Sequence, residues 1–195
     1  MSDVRIESLH VYPVKGCRGI ALETAEVATT GLVAAGTGDR EWMIVDPAGR
    51  FVTQREFPQL ALIATAVAND GVTLSAPGAP PLVLPSRTAP GASRAVVVWQ
   101  SDVKGFDGGD AAAAWLSARV GTSVRLVRFD RSLARPCNPE YAGDSGAHTY
   151  FADAYPILMI SRASLEELNR RLPAPIPMAR FRPNVVIEGV DAHAE

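Results

Sequence analysis

Residues 40–54 read REWMIVDPAGRFVTQ. Arg40–Val45 is an apolar, strand-forming run, and Asp46-Pro47-Ala48-Gly49 is a turn of the kind that joins hairpin strands. Arg50–Gln54 is then the expected return strand. The same grammar extends in both directions. Upstream, Val4–Tyr12 alternates loosely up to Pro13, and Leu22–Ala28 lies between Gly19 and Gly31. Downstream, Leu62–Val67 and Val72–Leu74 flank Asn69-Asp70-Gly71, a hairpin turn signal. Leu82–Leu84 and Ala95–Trp99 add two more short strands. Many short strands at this spacing point to a barrel or sandwich rather than a parallel sheet.

The pattern changes after Asp107. Asp110 is a candidate cap for a helix through AAAAWLSARV that stops at Gly121, a C-terminal glycine. Val124–Val127 reads as a strand interrupted by Arg125 and followed by Arg128. Residues 129–150 form a long irregular stretch, which in a compact domain is usually functional or disordered. Pro156–Ile160 is a buried-strand candidate leading to a helix capped by Ser161 or Ser164, with Glu167 completing a capping box after Ser164. FRPN (residues 181–184) then opens the apolar strand Val185–Ile187. In a strand, Arg180 and Arg182 share one face and Phe181 takes the other. The chain is therefore expected to be α+β, with a boundary near residue 125.

A chain of 195 residues, 47% hydrophobic and 21% charged, has the composition of an ordinary globular protein. Its net charge of -2 argues against a nucleic-acid partner, which calls for a basic stripe. No run approaches the roughly 18 apolar residues that span a membrane, and the N-terminus lacks a signal-peptide pattern. Cys17 and Cys137 are too few and too far apart for a disulfide framework or zinc cluster. The expected setting is the cytoplasm, with no membrane partner.

Four stretches carry candidate chemistry. In Tyr12-Pro13-Val14-Lys15-Gly16-Cys17-Arg18-Gly19, glycines permit close backbone approach to an anion and two cations supply charge; the plainer reading is a hairpin turn with solvated charges. Asp39-Arg40 is either a surface ion pair of little energetic weight or an arginine oriented into a pocket by its neighbour. Thr53-Gln54-Arg55-Glu56-Phe57-Pro58 reads as a strand end with a solvated Arg55-Glu56 pair. Arg182 either binds an anion through its planar fork or is salt-bridged and orders the preceding loop. His10, His148 and His193 lack metal-ligand spacing, and a Ser145/His148/Asp144 triad has no GxSxG support. Cys137 is a reactive thiol only if Arg135 lowers its pKa.

In order, YPVKGC, GDREWMIVD, GRFVTQREFPQLALI, FADAYPILMISRASLEELNRRL and MARFRPNVVIEG closely resemble the MOSC-domain proteins. More narrowly, the chain looks like the branch with an N-terminal MOSC_N β-barrel, which includes the mitochondrial amidoxime-reducing component and its bacterial relatives. The resemblance implies a mainly antiparallel β-barrel-like domain over 1–125. Residues 126–195 would then be a linker and the incomplete start of a MOSC β-barrel with helices. It also implies a molybdenum cofactor (molybdopterin), reduction of N-hydroxylated small molecules, and an electron-donor protein or domain. Lys15 falls on the family's cofactor-binding lysine, with Gly16 where serine is frequent. Arg40 and Arg182 match cofactor-contacting arginines, and Ala154 and Tyr155 fill the two positions before the proline of the DxxP motif.

The family's molybdenum-ligating cysteine belongs to a motif beyond FRPN, which this chain does not reach. No metal ligand is therefore assigned, and the catalytic residues are open. The expectation is a fragment that is inert alone and has unpaired sheet edges near Val185–Ile187. Two rivals remain: a sulfur carrier holding a persulfide on Cys17, where Lys15 and Arg18 would favour the thiolate, and a β-barrel binding module without chemistry.

Overall fold

A computed structural model describes residues 3–69, 71–85 and 91–195. In chain order the strands are β1 (Arg5–Val11), β2 (Val14–Lys15), β3 (Ile20–Leu22), β4 (Glu26–Ala28), β5 (Gly31–Ala34), β6 (Thr37–Gly38), β7 (Trp42–Val45), β8 (Ala64–Ala68), β9 (Gly71–Ser75), β10 (Leu82–Pro85), β11 (Ser93–Val98), β12 (Ser101–Asp107), β13 (Arg125–Phe129), β14 (Met159–Ser161) and β15 (Val185–Glu188). Three helices accompany them: α1 (Asp110–Val120), α2 (Pro139–Ala142) and α3 (Arg162–Arg170). The fold is α+β and largely antiparallel, as expected. Its strands form four separate sheets, ordered β14-β15-β1-β3, β10-β9-β8, β11-β12-β13-β7-β2 and β4-β5-β6, and among the described residues none closes into a barrel.

The five-stranded sheet positions the site. β7 lies between β13 and β2, with both faces covered, which is why WMIV is a continuous apolar run rather than an alternating one. One face packs with α1, whose Ala112, Trp115, Leu116 and Val120 recur at helical spacing and point into the larger core cluster. The other holds Met43, Val45, Val127, Phe129 and Phe151. Residue 125 begins β13, so the expected boundary falls within this sheet, and β15 pairs with β1 from the opposite end of the chain.

Several local expectations change. Arg50–Gln54 is not a continuous strand: Asp46–Gly49 turns as expected, but the return makes isolated bridges from Phe51 to Val45 and from Arg50 to Val97, with Asp46 N–H bonding Arg50 O (2.8 Å) and Val52 N–H bonding Ile44 O (3.0 Å), before curling at Thr53. Leu22–Ala28 splits into β3 and β4, which belong to different sheets. β12 was not legible because its polar positions and Gly105 mask it. Gly105 is required there, since a Cβ would lie 2.4 Å from Arg128 O on the neighbouring strand. The Asn69–Gly71 turn joins β8 to β9, but Asp70 lies outside the described residues.

Asp110 is the first residue of α1, and its N-cap is Gly109; Gly121 ends the helix in the left-handed region as expected. Ser161, not Ser164, caps α3, and Glu167 pairs with Arg171 instead of closing a box. β14 is short and exposed at its first residue, Met159, and at Leu158 just before it, so the buried reading of Pro156–Ile160 fails. β15 is flanked by both β14 and β1, so the open edges expected at Val185–Ile187 are absent.

Candidate functional site

The turn between β1 and β2 is the hub. Arg40 N–H bonds Tyr12 O (2.7 Å) and Trp42 N–H bonds Pro13 O (2.9 Å), so the Asp39-Arg40 corner is laced to this turn by backbone alone. Arg40 and Arg182 both have positive φ, +49° and +57°, so each sits at a tight corner rather than in a strand. The alternation expected for Arg180, Phe181 and Arg182 therefore does not occur. Met178–Arg180 is a 3-10 turn, Arg180 is exposed, and Phe181 is 37% exposed.

These corners place both guanidiniums over the Tyr12 ring, each 4.4 Å from its centroid. Gly19 packs directly against that ring, with space for no Cβ: one would lie 2.4 Å from Tyr12 Cε1. Arg40 donates to Asp39 Oδ2, to Asn184 Oδ1 (3.1 Å) and to Arg182 O (3.0 Å). Asp39 is 1% exposed and accepts from Tyr12 N–H (2.8 Å) and Asn184 Nδ2 (2.9 Å). The Asp39-Arg40 pair is thus a buried orienting pair, not a surface one.

Among the described residues Arg182 has no carboxylate partner. It donates through Nη1 to Cys17 O, while its buried Nη2 has no hydrogen-bond partner among those residues. Burial and the neighbouring Arg40 charge pull its pKa down to about 10, so it remains a cation at neutral pH. Buried donors are normally satisfied, so an unused guanidinium nitrogen is costly unless something else occupies it.

Lys15 is the third cation. Its side chain is only 12% exposed, its ammonium pairs with Asp153, and it lies over the Phe51 ring at 5.1 Å. Burial lowers its pKa, opposed by Asp153 and assisted by Arg40 and Arg135. The solvated-charge reading holds for Arg18, which is exposed, and fails for Lys15. Gly16 adopts φ +86°, and its carbonyl accepts from Gln54 Nε2 (2.6 Å). Ala154 and Tyr155 follow Asp153 on an exposed segment; the Tyr155 ring packs edge-on to Tyr141, and it is Asp153 that reaches Lys15. Arg135 holds that segment through the carbonyls of Tyr150, Ala152 and Asp153.

Neither cysteine suits thiolate chemistry. Cys17 is fully buried, and burial pushes its thiol up to about 12 despite Arg182 nearby. Cys137 is also raised by burial, against the pull of Arg135, so the arginine does not activate it. The persulfide reading loses its premise, since the thiolate is the nucleophile. We expect Cys17 to resist a disulfide thiol reagent at pH 8 in folded protein and to react fully in denaturant; rapid labelling of folded Cys17 would contradict this. His148 turns to Gly146 O (3.1 Å) and forms no triad, and no three-residue metal-ligating cluster occurs among the described residues. No helix is long and apolar enough to cross a membrane among them either.

Residues 3–123 match the MOSC N-terminal beta barrel domain, and residues 146–195 match the MOSC domain. Mitochondrial amidoxime reducing component 2 of Bos taurus is 34% identical over 97% of this chain and 58% of its own length. Mitochondrial amidoxime-reducing component 1 of Homo sapiens is 35% identical over the same shares. The chain thus spans 58% of the length of these relatives. A solution structure of a Bordetella bronchiseptica protein overlays 60% of the chain at 24% identity and a TM-score of 0.47, too loose a likeness to argue from. With the first of these family matches taking in more than half of its length, the chain belongs to the MOSC family, in the branch that carries the MOSC N-terminal beta barrel domain.

Proposed function

We propose that Lys15, Arg40 and Arg182, with the Gly16 backbone, form the anion cradle of a molybdenum-cofactor site in a MOSC-type oxidoreductase that reduces N-hydroxylated compounds. The observation that carries this reading is the unpartnered Nη2 of Arg182, in a guanidinium already fixed by Cys17 O and the Tyr12 ring. The donor set fits a molybdopterin. Its phosphate is anionic and calls for converging cations, which fork-shaped guanidiniums supply with direction and lysine as a point charge. Gly16 turns the backbone beside Lys15 at a positive φ, and Gln54 braces its carbonyl. When bound, that cofactor supplies the redox chemistry, while the protein supplies binding, orientation and electrostatics.

The residues divide that work. Arg40 is oriented by Asp39 and Asn184 and presents fixed charge at little entropic cost on binding. Arg182 contributes the open donor. Lys15 is held against Phe51, with its ammonium exchangeable between Asp153 and a ligand. The reductase reading takes its substrate class from relatives named for amidoxime reduction. It calls for an electron-donor protein or domain, and we place the protein in the cytoplasm on the strength of its two free thiols.

The cradle is tested by calorimetric titration of the 195-residue protein with inorganic phosphate. Arg182→Gln is expected to weaken binding about tenfold, the cost of losing one charge-assisted hydrogen bond. Equal affinity in the wild type and the variant would contradict the assignment.

A further inference from the structure

Trp99 occupies the tip of the β11–β12 hairpin, where Val98 pairs with Ser101 across a two-residue turn. Its φ is +56°, a conformation suited to glycine and strained for a bulky residue. It is also 50% exposed, so burial does not hold it there. Two contacts do: its ring lies 5.1 Å from that of Phe51, and its indole Nε1 donates to Asp153 Oδ1 at 2.9 Å. The same Asp153 oxygen accepts from the Lys15 ammonium. Phe51 in turn carries Lys15 on its face. Lys15, Asp153, Trp99 and Phe51 thus form a closed ring of contacts beside the cradle.

Within that ring the acid is the odd member. Asp39, the other carboxylate of the site, is buried and fully committed to Tyr12, Arg40 and Asn184. The Asp153 side chain is 70% exposed, and the segment bearing it is pinned by Arg135 through backbone carbonyls, so among the described residues the carboxylate itself is held by Lys15 and Trp99 alone. A carboxylate placed on the cation of an anion site occupies the position an incoming anion needs.

We propose that Asp153 is an internal stand-in for the ligand's anion at Lys15, and that a phosphoryl group entering the cradle displaces it and releases the Trp99 indole. This rests on the cradle reading above and adds the residue that sets its affinity. Asp153 is a positioning residue: while the site is empty it shields a desolvated ammonium that would otherwise be unpaired, and it lowers the affinity for any competing anion. Trp99 reports the exchange, because its only side-chain hydrogen bond among the described residues is to the oxygen that leaves.

The test is a titration of the full chain with inorganic phosphate, read by tryptophan emission and by calorimetry, in wild type, Asp153→Asn and Trp99→Phe. In the wild type, phosphate is expected to shift emission saturably. Trp99→Phe is expected to keep the calorimetric binding and lose the optical change, since Trp42 and Trp115 are buried elsewhere. Asp153→Asn removes the competing charge but keeps an amide, and is expected to bind phosphate about two- to fivefold tighter, the range set by a solvent-exposed ion pair. Binding by Asp153→Asn alone would also support the stand-in. Weaker or unchanged binding by Asp153→Asn overturns it and leaves the cradle standing. Binding by neither protein overturns both readings.

Discussion

Asn184→Ala is expected to lose about 2–4 kcal/mol of unfolding free energy, because several buried groups lose a partner at about 1–3 kcal/mol each. Asn184 is 1% exposed and uses both ends of its amide. Nδ2 donates to His10 O (3.2 Å) and Asp39 Oδ1 (2.9 Å), while Oδ1 accepts from Arg40 Nη1 (3.1 Å) and Leu158 N–H (3.1 Å). Its backbone joins His10 and Leu158 as well, so one residue ties β1, the approach to β14 and the Asp39-Arg40 corner together. Alanine keeps the backbone bonds and strands the rest, including a buried carboxylate with one donor fewer. Asn184→Asp is expected to fare no better, because it sets a second carboxylate against Asp39. Urea denaturation checks both, and a loss under about 1 kcal/mol in Asn184→Ala would place the network's weight elsewhere.

Glu41→Ala is expected to be comparably damaging, by about 3–5 kcal/mol, for a different reason. Glu41 is fully buried. It accepts from Arg128 Nε (2.6 Å), from Arg131 Nε (3.0 Å) and Nη2, and from Gly38 N–H (2.9 Å). The carboxylate is thus the common counter-ion of two guanidiniums at the β13–β7 seam. Alanine removes the shared carboxylate from both guanidiniums, which stay half-buried over the Trp42 and Tyr150 rings. An internal contrast is Asp110, which meets Arg125 at 2.9 Å with a side chain 96% exposed. Asp110→Ala is expected to change stability by less than about 0.5 kcal/mol, since a solvent-exposed pair contributes little. Similar losses in the two variants would mean that burial does not govern these pairs.

The α+β class, the hairpin at Ala64–Ser75 and the Gly121 helix stop were legible because each rests on local chemistry: alternation, turn residues and a left-handed cap. β12 was not, since a strand carrying Asp102, Lys104 and Gly105 is stabilised by its neighbours on both sides rather than by its own propensity. FRPN reads as the mouth of a strand, whereas the chain makes a positive-φ corner at Arg182 and starts pairing only at Val185. Within the site, Lys15, Arg40 and Arg182 were legible as cations near glycines and turns. That Arg40 and Arg182 share the Tyr12 ring while Lys15 lies on Phe51 was not, because the three elements meet only through long-range pairing of β2 with β7 and β15 with β1. Tyr12 itself stood in the YPVK stretch, and Asp153 one place before Ala154. Trp99 carried no local signal at all, since nothing in a lone tryptophan marks it as the partner of an acid 54 residues away.

Lys15, Arg40 and Arg182, from distant parts of the chain, are proposed to form one cradle for a phosphorylated pterin. The most direct measurement is the pterin and molybdenum content of the protein purified from a host that makes the cofactor, set beside a Lys15→Gln/Arg182→Gln double variant shown to be folded by circular dichroism. Pterin should accompany the wild type and be absent from the double variant. Equal pterin in both, or none in the wild type, would contradict the account.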